Sequence, residues 1–228
     1  MEFTSNADFW IGLIKIVWIN IILSGDNAVV IALAARSLPP QQQKQAIMFG
    51  SGAAVVLRIV LTIVAAKLLE LSFLQVVGGC LLLWIGYQLL SGGDDEEGNA
   101  KGTGSMFAAI RTILIADLVM SLDNVIAVAA AAQGNMLLLI LGLAISIPLV
   151  IFGSTLMIKL MERFPIIITL GAALIGWVGG ETIVNDNLLH GYTQAHPWLH
   201  YAAAAAGAVL VVAVGKWMQS RSTAKAAA

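Results

Sequence analysis

Seven runs of about twenty apolar residues, each long enough to cross a ~30 Å hydrocarbon layer as a helix, constrain this chain more than any other feature. They occupy residues 9–35, 46–66, 71–90, 106–132, 136–158, 165–184 and 198–218. A bilayer interior has no water to take up free N–H and C=O groups, so each run is predicted to be helical. Hydrophobic residues make up 59% of the 228 and charged residues 11%, against roughly 25% charged in soluble domains. The mean hydropathy, +0.90, points the same way. A soluble bundle would need polar faces that these runs lack. The predicted class is an all-α membrane protein with seven transmembrane helices.

Charge sets orientation and removes some partners. A net charge of −1 gives no basic domain for nucleic acid. Of the 12 Lys and Arg, nine fall in connections or tails on the side of the C-terminus and one, Lys67, on the other, while Lys15 and Arg58 lie within runs. That bias predicts the N-terminus outside and the C-terminus in the cytoplasm. The N-terminal "MEFTSNADFW" is acidic without an evident cleavage site, unlike a removable signal peptide. The single Cys80 forms no internal disulfide and says nothing of redox compartment.

The chain also repeats itself. At an offset of 97, Asn20, Ser24, Asp26 and Asn27 meet Asp117, Ser121, Asp123 and Asn124. At 92, Lys67-Leu68-Leu69-Glu70 meets Lys159-Leu160-Met161-Glu162, and at 93 Gly78, Trp84 and Gly86 meet Gly171, Trp177 and Gly179. A shared hydrophobic composition explains apolar matches but not the paired Asp-Asn. Three helices per unit is an odd number, so the second copy is predicted to run inverted, a pattern of secondary transporters whose sites lie where the repeats meet. The organisation read from this is a first three-helix repeat over 1–90 and a flexible acidic cytoplasmic linker over 91–105. A second, inverted repeat follows over 106–185, then an external loop over 186–197. A seventh helix with a basic cytoplasmic tail covers 198–228.

Ionisable groups at mid-bilayer are costly, ~2.5–3.5 kcal/mol on insertion scales, and usually face a cavity or a partner. In a regular helix Asn20, Ser24 and Asn27 share a face, as do Asp117, Ser121 and Asn124, while Asp26 and Asp123 point about 120° away. A helix break reconciles them: Gly25 weakens the first helix, and Ser, Asp and Asn compete for backbone hydrogen bonds. In the second motif Leu122 replaces the glycine. Such an unwound turn implies a cavity. Carboxylates, carboxamides, hydroxyls and carbonyls are hard oxygen donors, suited to Mg²⁺, Ca²⁺ or Mn²⁺ rather than Zn²⁺ or Cu⁺. Asp26 and Asp123 are the expected principal ligands and Asp117 a third carboxylate. Asn20, Ser24, Asn27, Ser121 and Asn124 complete the shell.

Other polar residues admit more than one reading. Arg58 neutralises the acids of an empty site, or couples transport to protons, or makes a structural pair with a carboxylate or backbone carbonyls. Lys15 is expected to snorkel to the outer interface. Glu181 is a candidate for an external exit path, whereas Asp186 reads as an exposed loop acid. His190, His196 and His200 read as a surface loop rather than a zinc site, since Pro197 interrupts the helical spacing. The acids of "SGGDDEEGNAKGTGS" read as a solvated loop, and the glycines of "VVGG" and "GWVGG" as helix-packing positions.

With "LSGDNAVVIALAARSLP" on one helix, "ADLVMSLDNVIAVAAA" on another and seven spans, nearly the whole chain resembles the TerC family of integral membrane proteins, and most closely its compact bacterial branch, the YjbE-like proteins. The family belongs to the wider lysine-exporter superfamily and is named for tellurite resistance. The resemblance implies efflux of manganese across a bacterial plasma (inner) membrane, with Asp26, Asn27, Asp117, Asp123 and Asn124 lining the cation site. Many relatives carry an acid where this chain has Asn20, which makes its halves chemically unequal.

The leading expectation is therefore a non-enzymatic exporter of a divalent cation, Mn²⁺, working by alternating access, with lipid as its surroundings and no cofactor. No P-loop pattern is present, so an ion gradient, plausibly of protons, must drive it. The alternatives weighed are three. A non-transporting membrane partner would supply metal to exported proteins or scaffold a stress-resistance complex. An amino-acid exporter would have only Arg58 for the substrate carboxylate. An intramembrane aspartyl protease needs Gly-x-Gly-Asp, where this chain has "LSGD" and "MSLD".

Overall fold

The structure, a computed structural model, describes residues 7–23, 25–68, 71, 73–91, 105–132 and 135–226, without the side chains of residues 7, 8, 20, 22, 23, 65–68, 123, 126, 129 and 222–226. Among the described residues every regular element is a helix. In chain order these are α1 (Ala7–Leu23), α2 (Gly25–Ala35), α3 (Pro40–Leu68), α4 (Leu74–Ser91), α5 (Met106–Ala132), α6 (Met136–Arg163), α7 (Ile166–Val184), α8 (His190–Ala195) and α9 (Trp198–Ala226). Five of them, α3, α4, α6, α7 and α9, contain stretches long and apolar enough to cross a membrane.

Two elements depart from the seven predicted runs. The first run is two helices that meet around Ser24, itself outside the described residues, and α8 lies in the connection expected as an external loop. His190 opens α8, His196 caps its C-terminus, and His200 falls in the first turn of α9. The rest of the linker between Ser91 and Ser105 lies outside the described residues.

Local chemistry accounts for the helix ends. Pro40 opens α3, where a missing N–H costs nothing. Asn135 caps α6, its side chain accepting from the Leu138 N–H at 3.1 Å. Pro165 separates α6 from α7.

The start of α4 overturns one expectation. Asp186, read from the sequence as an exposed loop acid, is fully buried. Its carboxylate accepts from the backbone N–H groups of Phe73, Gln75, Val76 and Leu188, at 3.1, 3.1, 3.2 and 3.0 Å. It therefore caps a helix from across the chain, and in doing so holds Phe73 at a left-handed φ of 70°. Burial alone would raise its carboxyl, but the donors from Leu188, Phe73, Val76 and Gln75 together outweigh this and hold it below the ordinary carboxylate range.

The outer surface is apolar. Ile14, Phe107 and Phe152 are 66%, 74% and 70% exposed, as a lipid-facing wall requires and water would not tolerate. Inside, the helices pack in two ways. Helices α4, α7 and α9 approach through glycine: a Cβ on Gly79 would lie 2.5 Å from the Gly179 carbonyl oxygen, and Cβ atoms on Gly180 and Gly207 would overlap the carbonyls of Ala203 and Gly176. The other group comprises α1, α2, α3, α5 and α6. There α3 packs along α5, with Gly50 against Ile113, while α6 packs along α1 and α2, with Gly142 against Ile16.

Two apolar layers fill this second group. One joins Phe9, Leu13 and Ile16 of α1 with Val128 of α5 and Leu139 and Leu143 of α6. The other joins α2 from Val30 onward with Ala46 and Ile47 of α3, Ile113 of α5 and Met161 of α6.

Candidate functional site

Between those layers lies a cavity of about 20 Å³, walled by Asn27 and Ile31 of α2, Ser51, Ala54, Val55 and Arg58 of α3, Asp117 of α5, and Ser146, Ile147 and Val150 of α6. That volume holds about one water-sized occupant. It lies deep in the bundle. At 1.5 Å per residue, Arg58 is ~27 Å from the start of α3 and ~15 Å from its end, and Ser146 is ~15 Å and ~26 Å from the ends of α6. A wider, mostly apolar space of about 180 Å³ adjoins it, sharing Ser146 and Val150 and reaching Gly25 and Gly153.

The cavity's polar groups fall into two sets. In the first, Arg58 is held by Asp117 and Ser121. Its Nη2 donates to Asp117 Oδ1 at 2.5 Å and its Nε to Ser121 Oγ at 2.9 Å, while Ser121 donates to Asp117 Oδ2 at 3.2 Å. All three side chains are buried. Thr62 fixes the α3 backbone here, donating to the Arg58 carbonyl at 2.7 Å. The second set has no partner at all. Both carboxamide atoms of Asn27 and the hydroxyl of Ser51 are buried without a hydrogen bond. An orphaned buried polar atom costs ~1–3 kcal/mol, so three beside one small cavity mark a place built for a polar occupant.

Asp26 and Asn27 take different places at this cavity. With α2 beginning at Gly25, Asp26 falls in its first turn, where its Oδ1 accepts the Asn27 N–H at 2.9 Å. A carboxylate is favoured at that position by the helix dipole. Asp26 is half-buried beside the cavity rather than in its wall, and the next residue, Asn27, lines it. The second motif lies within α5, which runs unbroken through Leu122. Its Asp117 and Ser121 reach the site, while Asn124 is half-buried and outside the cavity wall.

Of the other residues singled out from sequence, Ser24 and the side chains of Asn20 and Asp123 lie outside the described residues. Glu181 is exposed on α7, away from the cavity wall, and Lys15 is exposed on α1. For Arg58, the geometry is a buried pair with Asp117. Ser51 and Ser146 escaped sequence reasoning. A signal was available for Ser51, since it precedes Arg58 by seven residues and so shares its helix face.

Comparison with known proteins adds the following. Residues 5–223 match the family described as "Integral membrane protein TerC family". The chain is 48% identical over 189 residues to the "Uncharacterized membrane protein YjbE" of Bacillus subtilis, covering 83% of this chain and 86% of that one. It is 26% identical over 217 residues to the "UPF0053 inner membrane protein YoaE" of Escherichia coli, covering 86% of this chain but 42% of that longer one. It is 25% identical over 207 residues to the "Uncharacterized membrane protein YkoY" of Bacillus subtilis, covering 82% and 61%. No solved structure matches.

Proposed function

The chain belongs to the TerC family of integral membrane proteins, and from that premise we propose that it exports a divalent metal cation, Mn²⁺, from the cytoplasm by alternating access through the cavity between α2, α3, α5 and α6. The observation that carries the reading is the unpartnered oxygen of Asn27 and hydroxyl of Ser51, facing one water-sized space beside the Asp117 carboxylate. These are hard oxygen donors, and a divalent ion that keeps few waters is a matching occupant. Asp26 stands one residue away to join the shell when the helix start shifts. Asp123, Asn20, Ser24 and Asn124 are further candidates, from the repeat alone.

Pseudo-symmetry supports the alternating mechanism. At the offset of 92, Gly50 corresponds to Gly142, and at 97 Ile16 corresponds to Ile113. The structure pairs Gly50 with Ile113 and Gly142 with Ile16, the same contact made twice. Cavity residues Ala54, Val55 and Arg58 likewise correspond to Ser146, Ile147 and Val150, also in the wall. A site on such an axis meets either side of the membrane when one half rocks against the other. The apolar layers on both flanks then serve as alternating seals. The basic connections orient the C-terminus to the cytoplasm. Since ~2.3 kcal/mol per charge per 100 mV opposes export from a cell negative inside, a proton counter-flow is the proposed drive.

The test is reconstitution. Vesicles holding only this chain and loaded with Mn²⁺ are expected to release it, faster with an opposing pH gradient. Release no faster than from protein-free vesicles would leave the scaffold or metal-supply reading in its place.

A further inference from the structure

The two halves of the cavity wall differ where its charges sit. Ala54 and Ser146 are both small, and Val55 and Ile147 both branched and apolar. The charged pair breaks this likeness, because Arg58 corresponds to Val150 at an offset of 92 and Asp117 to Asn20 at 97. A guanidinium and a carboxylate thus stand together on one side of a site whose other side has neither at those positions. Stability is a weak reason for them. Desolvation cancels most of the attraction in a buried ion pair, and an apolar pair of similar volume often does as well.

In this arrangement both carboxylate oxygens of Asp117 are already engaged. One oxygen faces Arg58 Nη2, the other accepts from Ser121, and Ser121 in turn holds Arg58 Nε. The remaining space of about 20 Å³ suits one small occupant, and a divalent ion placed there would face the guanidinium's charge across the same carboxylate, so the two repel one another. We infer that Arg58 is a tethered cation that takes the transported ion's place at Asp117 whenever the site is empty, so that ion binding and guanidinium docking exclude one another. The inference rests on the transporter reading above. Its physical sense is charge balance: bare carboxylates carried between two apolar layers would be expensive, and the arginine neutralises one of them on the empty return. Arginine fits this task better than lysine, since it is always protonated and its planar fork grips Asp117 and Ser121 together.

The two directions of ion movement separate this role from a structural one. With Mn²⁺ on both faces of a vesicle, exchange of radioactive Mn²⁺ needs only the loaded protein to cross. Net efflux into Mn²⁺-free buffer needs the metal-free protein, carrying only the counter-flowing protons, to return. In full-length Arg58→Gln, net efflux is expected to fall ~10-fold or more while exchange persists, with Mn²⁺ binding ~10-fold tighter because the internal competitor is gone. Equal loss of both fluxes, or an unchanged net efflux, overturns the inference. Should Arg58→Gln not reach the membrane, Arg58→Lys decides. It keeps the charge but loses the fork, and its ratio of net efflux to exchange is expected to drop ~3-fold or more; an unchanged ratio overturns the inference. Wild-type vesicles showing neither flux would instead remove the transporter reading, so the two failures are distinct.

Discussion

Helices α4, α7 and α9 meet backbone to backbone through glycine, whereas α2, α3, α5 and α6 enclose a small cavity with polar groups in its wall. Among the described residues, the first group buries no charged side chain within its helices, while the second holds Arg58, Asp117, Asn27, Ser51, Ser121 and Ser146. One chain thus contains a block closed by glycine contacts and a second that keeps buried charge around a cavity. The lesson is a division of labour. The backbone-to-backbone glycine contacts leave little room for a change in shape, so the proposed transport movement is assigned to the group that holds the cavity. On the proposed function, the unpaired polar atoms of Asn27 and Ser51 are tolerated there because an occupant fills the cavity.

Four substitutions press on that contrast. The largest effect is expected in the polar group: Asp117→Ala takes the carboxylate from a buried guanidinium and should cost ~3–5 kcal/mol, seen as a lower midpoint in thermal unfolding. Pairing it with Arg58→Met should recover most of that stability but no Mn²⁺ flux, separating folding from transport. Next, Gly180→Val drives a side chain into the Ala203 carbonyl, where backbone cannot yield; a loss of about 3 kcal/mol is expected, with little protein left in the membrane fraction. Gly52→Ala, with open space around its position, is the matched control and should be silent.

Asp186→Asn ranks third. It weakens the cap on α4 by ~1–2 kcal/mol and should leave flux per folded molecule intact. Its pH dependence has a definite sign. A carboxyl whose folded pKa lies below its unfolded value stabilises the fold above the unfolded value, about pH 4, and that contribution fades as pH falls through the folded value. The wild type should therefore lose stability on acidification below about pH 4, relative to Asp186→Asn. Smallest in stability is Ser51→Ala, which removes one unsatisfied hydroxyl and should shift the unfolding midpoint by little, ~0.5 kcal/mol or less. Its effect should appear in Mn²⁺ affinity instead, weakened several-fold by the loss of one ligand or its orienter.

What could be read from sequence divides along physical lines. Helices follow from apolar run length and the ban on unpaired backbone groups, so their positions were legible within a few residues. The break expected before Asp26 falls at Ser24, outside the described residues, while α5, with Leu122, runs whole. Arg58 could not be assigned, since its partner lies 59 residues away and their meeting depends on how α3 and α5 cross. Asp186 was misread for the same reason. Loop position in sequence says nothing about which helix end folds beneath it. Ser51 and Ser146 went unseen because single hydroxyls in apolar helices commonly bond their own backbone, as Ser146 does to Leu143 at 2.6 Å.

Mn²⁺ binding to the purified protein, followed by electron paramagnetic resonance, tests the central claim most directly. About one ion per chain is expected for the wild type, with an oxygen-only ligand shell, and none at the same concentration for Asn27→Ala combined with Asp117→Asn. A wild type that takes up no Mn²⁺, or a double variant that takes it up as well as the wild type does, would contradict the assignment of the site to this cavity.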